Sequence, residues 1–116
     1  DPALMQYAVK IVAATRNPEK AGIPDVAPYI LYGASPRATL SLIEGGRALA
    51  FLRGRDYVLP EDVTDLVADV LRHRVVLSYE ALANNMTADQ VIARIMMHIA
   101  APAKPLETHV RFAAQS

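Results

Sequence analysis

The sequence of 116 residues contains no cysteine and no tryptophan, and it has only two phenylalanines. Without cysteine there is no disulfide and no thiolate for catalysis or metal binding. The scarcity of large aromatic residues argues against an aromatic-rich β-sandwich. Alanine, leucine and valine supply most of the 53% hydrophobic share, a composition that suits closely packed helices. A chain of this length builds one core, so we predict an all-α domain.

Net charge is absent as well, because twelve basic and twelve acidic residues cancel. The chain therefore has no overall attraction to nucleic acid or to an anionic membrane surface. It lacks the run of about 18 apolar residues that marks a membrane-spanning helix, and its N-terminus lacks the basic-then-apolar order of a signal peptide. We expect a chain that does not enter a membrane, with the cytoplasm as its default location.

The residues of a complete active site are missing too. No G-x-x-x-x-G-K-[ST] loop occurs, and a P-loop enzyme cannot hold nucleotide phosphates without it. The histidines His73, His98 and His109 share no spacing typical of metal ligands. The acidic pair Glu61 and Asp62 falls at a helix start, where the helix dipole favours negative charge. We predict no metal site, and no ATP hydrolysis by this chain alone.

Four amphipathic helices are predicted from apolar residues that recur every three or four positions. They cover residues 1–16, 35–53, 60–74 and 87–101. The second begins with Ser35 as the N-cap and Pro36 at the first helical position. The fourth begins with a capping box formed by Thr87 and Gln90, and Pro102 closes it. We expect these helices to share one core.

The pattern between and within these helices is less regular in three places. Residues 17–32 hold three prolines and a glycine, which predicts an irregular connection, and their apolar members indicate that it lies against the body of the domain. Short extended segments are expected near 57–59 and 75–78, the second followed by a turn of helix. Gly45 and Gly46 lie in mid-helix, where they favour close packing over a weak point.

Arg37 carries a positive charge at a position where helices disfavour it. Arg37 falls in the first turn of the second helix, where the helix dipole disfavours positive charge, and the helical wheel places it opposite the apolar face. Free amides at a helix start and a guanidinium both suit phosphate oxygens, so an anion bound between them is one explanation. The alternative is a surface arginine paired with Glu44 or with solvent.

A second group of positive charges lies at helix ends. It consists of Arg53, Arg55, Arg72, His73 and Arg74. Cations are stabilised at helix C-termini, so these residues either gather on one surface or lie at opposite ends of neighbouring helices. The alternative function is therefore a stand-alone helical module that binds nucleic acid or an acidic protein through basic helix ends. The zero net charge counts against it.

Several segments occur together in a known family. They are Gly33-Ala34-Ser35-Pro36-Arg37-Ala38, Arg47-Ala48-Leu49-Ala50, the ten residues GRDYVLPEDV from Gly54 to Val63, and Val70-Leu71-Arg72-His73-Arg74. With Thr15-Arg16 after the first helix, their order and spacing resemble the lid domain of MoxR-family AAA+ ATPases over about residues 2–100. Gly45-Gly46 stands where the family usually has two alanines, and residues 101–116 match nothing in it.

The resemblance implies a four-helix AAA+ lid over residues 1–103 and a C-terminal extension of uncertain structure over residues 104–116. It also implies an α/β core with the Walker motifs before Asp1. The family's sensor-2 arginine corresponds to Arg37, which would reach the γ-phosphate of ATP held by that core. The candidate catalytic residue is therefore Arg37, and the candidate cofactor-binding residues are Gly33, Ser35, Pro36 and Arg37.

Further expectations concern the whole protein. The resemblance implies ATP and Mg²⁺ as its cofactors, with ATP hydrolysis that this chain cannot perform alone. The implied partners are the core of the same chain, the neighbouring subunits of a hexameric ring, and von Willebrand factor A domain proteins. Family members act as chaperone-like ATPases in the maturation of protein complexes, including methanol dehydrogenase.

Overall fold

A computed structural model of the chain describes residues 2–102. This range contains five α-helices, a 3-10 helix and two short strands, which confirms the all-α class with short extended segments. The elements are α1 (Pro2–Arg16), the 3-10 helix (Pro24–Tyr29), β1 (Ile30–Tyr32), α2 (Arg37–Leu52), α3 (Pro60–Leu71), β2 (Val76–Leu77), α4 (Tyr79–Ala83) and α5 (Ala88–Met96). None of these helices is long and apolar enough to cross a membrane. The expected extension at 104–116 lies outside the described residues.

The predicted helix starts agree with the structure to within one residue. At α5, Thr87 Oγ1 accepts from the Gln90 amide at 3.1 Å, and Gln90 Oε1 accepts from the Thr87 amide at 2.9 Å. The capping box is therefore confirmed. α2 begins at Arg37 with Pro36 at the N-cap, one residue later than Ser35 as the N-cap predicts. Helix ends commonly vary by this amount.

Two helices end earlier than predicted. α3 ends at Leu71, and residues 72–74 form turns rather than a last helical turn. α5 ends at Met96 rather than near Pro102. The amides of residues 98 and 99 donate to carbonyls three residues back, so the chain tightens there and satisfies the last carbonyls without continuing the helix.

The strands of the described range form a two-stranded antiparallel sheet. Its pairs join Ile30 to Leu77 and Tyr32 to Val76. The expected extended piece near 75–78 is thus confirmed as β2, and α4 is the turn of helix after it. β1 is missed by the sequence analysis, because three residues are too few to show alternation. Residues 57–59 form no strand.

Two groups of buried apolar residues form the core. The larger joins four helices, and it includes Ile11 of α1, Leu42 of α2, Val67 of α3 and Ile92 of α5. The smaller lies beneath the irregular connection, where Ile23 and Val26 are fully buried and pack with Val91 of α5. The prediction that residues 17–32 lie against the body of the domain is therefore confirmed.

Gly45 and Gly46 bring α2 into close contact with α3. A Cβ at Gly46 would lie 3.2 Å from Val63 Cγ2, and one at Gly45 would lie 3.0 Å from Leu66 Cδ1. Both separations are shorter than ordinary van der Waals contacts. The two glycines therefore serve close packing, as the sequence analysis favours.

Replacing Gly46 with leucine should lower the free energy of unfolding by about 2 kcal/mol, because a branched side chain has no space against Val63. Ala48→Leu is the matched control, since Ala48 is exposed on the same helix. Urea denaturation followed by circular dichroism measures both variants. Equal stability of the two variants would show that the contact is not tight.

One buried carboxylate holds the turn between α2 and α3. Asp62, whose side chain has no exposed surface, accepts two hydrogen bonds from Arg55, at 2.6 and 2.7 Å. It also accepts from Arg53 at 3.0 Å and from the Leu59 amide at 2.7 Å. The hydrogen bonds from Arg55, with smaller effects from Leu59 and Arg53, outweigh burial and lower the pKa of Asp62 from 3.8 to about 2.

The stability of the domain should therefore depend on pH through Asp62. Because the folded pKa lies below the unfolded one, the contribution is complete above about pH 4 and is lost as the pH falls toward 2. Its size is about 2 kcal/mol. Asp62→Asn should be less stable than the parent at pH 6, and the difference should narrow by pH 2.

Chemical denaturation at pH 6, 4 and 2 measures this difference. Asp56→Asn is the control, because Asp56 is exposed and forms no ion pair with any residue from 2 to 102. Its stability should follow that of the parent at every pH. A difference between the parent and Asp62→Asn that stays constant with pH would contradict the assignment.

Candidate phosphate-sensing site

Arg37 is the first residue of α2, and its side chain is exposed. The guanidinium forms no hydrogen bond or ion pair with any other described residue. In particular, the pair with Glu44 that the sequence left open does not form. Arg37 lies opposite the apolar face of α2, as predicted. The five N–H groups of its guanidinium are therefore available to an external acceptor.

The backbone amides of the same turn are not available in the way the sequence suggests. The Arg37 amide donates to Ser35 Oγ at 3.3 Å. The Ala38 amide donates to the Ser35 carbonyl at 2.9 Å, and the Thr39 amide donates to the Pro36 carbonyl at 3.1 Å. The expectation of free amides at this helix start is therefore wrong, because a tight turn already supplies their acceptors. The guanidinium is the group that remains for an anion.

The loop before Arg37 is fastened to the end of α1. Ala34 is fully buried, and its amide donates to Thr15 Oγ1 at 3.0 Å. The Thr15 hydroxyl in turn donates to the Val12 carbonyl at 2.6 Å. A Cβ on Gly33 would overlap the Thr15 carbonyl, so glycine is required for this close approach. The backbone of residues 33 and 34 is thus fixed by two different contacts.

The four candidate cofactor-binding residues therefore have different surroundings. Ser35, Pro36 and Arg37 are exposed on one short stretch, whereas Gly33 is half-buried against α1. Gly33 brings the backbone close to α1 and does not face outward. Residues 2–102 contain no group of three or more potential metal ligands.

Two exposed apolar side chains lie within five residues of Arg37 in the sequence. Tyr32, just before the loop, is 67% exposed, and Leu40, one helical turn after Arg37, is 56% exposed. Residues three apart on a helix share a face, so Leu40 lies on the same face of α2 as Arg37. Apolar side chains grouped around a charged one are typical of a surface that contacts another protein.

Thr15 is the residue of this site that the sequence analysis does not assign. Its position is four residues after Ile11 and seven after Ala8, both of which are buried on the same face of α1. The spacing of Thr15 with these apolar residues could have indicated that its hydroxyl is buried. A buried hydroxyl needs a hydrogen-bond partner. The partner lies nineteen residues away, so the sequence could not identify it.

The second basic group is largely paired within the domain. Arg53 and Arg55 precede α3, and both bind Asp62 in its first turn. Arg72 follows the other end of the same helix. These charges therefore lie at opposite ends of α3, one of the two arrangements that the sequence allows. Arg72 also pairs with Asp89 at 2.7 Å, and its hydrogen bond lowers the pKa of that carboxyl group.

Comparisons with known proteins agree with this architecture. A family model described as the AAA lid domain matches residues 24–95. Chaperone MoxR1 of Mycobacterium tuberculosis is 50% identical over 100 residues, which cover 86% of this chain and 26% of that protein. Protein MoxR of Paracoccus denitrificans is 43% identical over 81 residues, which cover 66% of this chain and 24% of that protein.

A crystal structure of a protein described as an ATPase, from Cytophaga hutchinsonii, matches with a TM-score of 0.84 and 41% identity. The match covers 89% of this chain and 31% of that one, so this chain spans only a part of its relatives. This chain belongs to the AAA lid domain family and is a lid of the MoxR type.

Proposed function

We propose that this domain closes over ATP held by the α/β core of a MoxR-type AAA+ ATPase, and that Arg37 senses the γ-phosphate. The observation that carries the proposal is the exposed guanidinium without a partner in the described residues, at the start of α2. An arginine in the first helical turn opposes the helix dipole, and an anion supplied by another domain removes that cost.

The chemistry of the guanidinium suits this role. It is a permanent cation with a planar fork that binds two phosphate oxygens at once, which a lysine ammonium cannot do. Charge on the transferred phosphoryl group is stabilised by such groups during ATP hydrolysis. Hydrolysis and release of the γ-phosphate remove the partner of Arg37, so the lid loses a contact that favours the closed position.

The other parts of an ATPase site belong to the core in this proposal. The sequence has no Walker A loop, and residues 2–102 hold no cluster of metal ligands. Mg²⁺ and the phosphate-binding loop would come from the core, where the metal ion would neutralise phosphate charge. Gly33, Ser35 and Pro36 contribute by carrying Arg37 and not by contacting the metal.

We also propose a chaperone-like role for the whole protein, in the maturation of protein complexes. The support is the relative named Chaperone MoxR1, together with the exposed Tyr32 and Leu40 as a surface for the core or for a neighbouring subunit of a hexameric ring. A von Willebrand factor A domain partner and a methanol dehydrogenase-type client belong to the same proposal. In this proposal the whole protein would be located in the cytoplasm, where ATP is supplied.

The alternative of a stand-alone module that binds nucleic acid is less well supported. Its basic residues Arg53, Arg55 and Arg72 are already paired with carboxylates of this domain. Their charge is therefore not available to phosphates without breaking those pairs.

Arg37→Ala in the full-length protein should lower ATP turnover by about tenfold or more, because a phosphate-facing guanidinium stabilises the transition state. The preference for ATP over ADP, measured as a ratio of dissociation constants, should fall with it. Arg37→Lys should give intermediate values, since it keeps the charge but loses the fork.

Arg47→Ala is the matched control for this experiment. Arg47 is exposed on the same helix and has no partner among residues 2–102, but it lies about 15 Å further along α2. The control should hydrolyse ATP at the parent rate. Unchanged turnover and unchanged nucleotide preference in Arg37→Ala would mean that this residue is not a sensor.

A further inference from the structure

We propose that Thr15 is a positioning residue for Arg37, which acts through its buried hydrogen bond to the loop before α2. The inference rests on the proposed sensor role of Arg37 and adds a residue of α1 to it. In this arrangement, the end of α1 determines where the guanidinium stands relative to the nucleotide.

The hydroxyl of Thr15 has two fixed partners and no contact with solvent. It donates to the Val12 carbonyl at 2.6 Å and accepts from the Ala34 amide at 3.0 Å. The Thr15 residue is fully buried. Among residues 2–102, this is the side-chain hydrogen bond that joins α1 to the loop at 33–36.

A second contact fixes the same stretch of backbone. Gly33 lies so close to the backbone of Thr15 and Arg16 that no Cβ fits there. The amide of the next residue, Ala34, is the donor to Thr15. One residue is therefore held by close packing and its neighbour by a hydrogen bond, so the loop cannot slide along α1 without breaking both.

The distance from this anchor to Arg37 is short. Arg37 is three positions after Ala34, a span of at most about 10 Å. The intervening chain is stiffened by Pro36 and by the hydrogen bond from the Arg37 amide to Ser35 Oγ. A change at the anchor therefore moves the start of α2 and is not absorbed by a flexible linker.

A sensing guanidinium needs this degree of control. A bidentate contact with phosphate requires the donors to be held within about 0.5 Å of the productive position. If the loop loosens, Arg37 still carries its charge but meets the γ-phosphate for less of the time. The expected loss is in discrimination between ATP and ADP, and binding of the rest of the nucleotide is kept.

The test uses the full-length protein with Thr15→Val, which keeps the size of the side chain and removes the hydroxyl. The measured quantity is the ratio of dissociation constants for ADP and for a non-hydrolysable ATP analogue. Thr15→Val should lower this preference about fivefold, the effect of losing one hydrogen bond of about 1 kcal/mol. Thr15→Ser, which keeps the hydroxyl, should retain the preference of the parent.

Thr64→Val is the control for a purely structural effect. The Thr64 hydroxyl also forms a hydrogen bond to α1, with Tyr7 Oη at 2.7 Å, but it has no link to residues 33–37. Thr64→Val should therefore lower the melting temperature and leave the nucleotide preference unchanged. If Thr15→Val does not fold, Thr15→Ala replaces it and is judged by the same criteria.

A double-mutant cycle separates positioning from general destabilisation. In an Arg37→Ala background, Thr15→Val should change the nucleotide preference by less than about twofold, because the residue through which it acts is gone. An equal loss in both backgrounds, or no loss in the single variant, would overturn the inference while leaving the sensor role in place. No effect of Arg37→Ala itself would overturn the sensor role and this inference together.

Discussion

Helix α2 is held at both ends and along its middle, and this constraint determines where Arg37 stands. At its start, the loop is fastened to α1 by the bond between Ala34 and Thr15. In its middle, Gly46 lets the helix backbone lie directly against Val63 of α3. Past its end, Asp62 binds both arginines of the turn. A helix fixed at three places moves with the domain, so its first residue is placed as rigidly as the core.

The absence of an ion pair does not by itself distinguish Arg37 from other arginines. Arg16 and Arg47 also lack partners among residues 2–102. Exposed arginines often contribute little to stability, whether paired or not. Arg37 differs because it stands at the start of a helix, where the dipole opposes its charge, on a loop that a buried hydroxyl and a glycine hold in place. A positive charge that the helix dipole disfavours, held on a rigidly fixed loop, is the combination that supports binding of an external anion.

Much of the fold could be predicted because its signals are local. The capping box of Thr87 and Gln90 involves residues three apart, and the start of α2 follows from Ser35 and Pro36 within one residue. The contacts that build the site are not local. β1 gains its identity from a partner more than forty residues later, and Thr15 meets Ala34 nineteen residues away. The first amides of α2 donate to acceptors in the preceding turn, and the geometry of that turn cannot be read from composition.

The rigidity of α2 has a consequence for the proposed sensor. If Arg37 were on a flexible loop, loss of the γ-phosphate would change only the conformation of that loop and of the arginine side chain. Because α2 packs against α1 and α3 in one core, a force on Arg37 acts on the whole domain. In the proposed function, the contact with phosphate, worth a few kcal/mol for a charge-assisted bond, would then be converted into a change of lid angle.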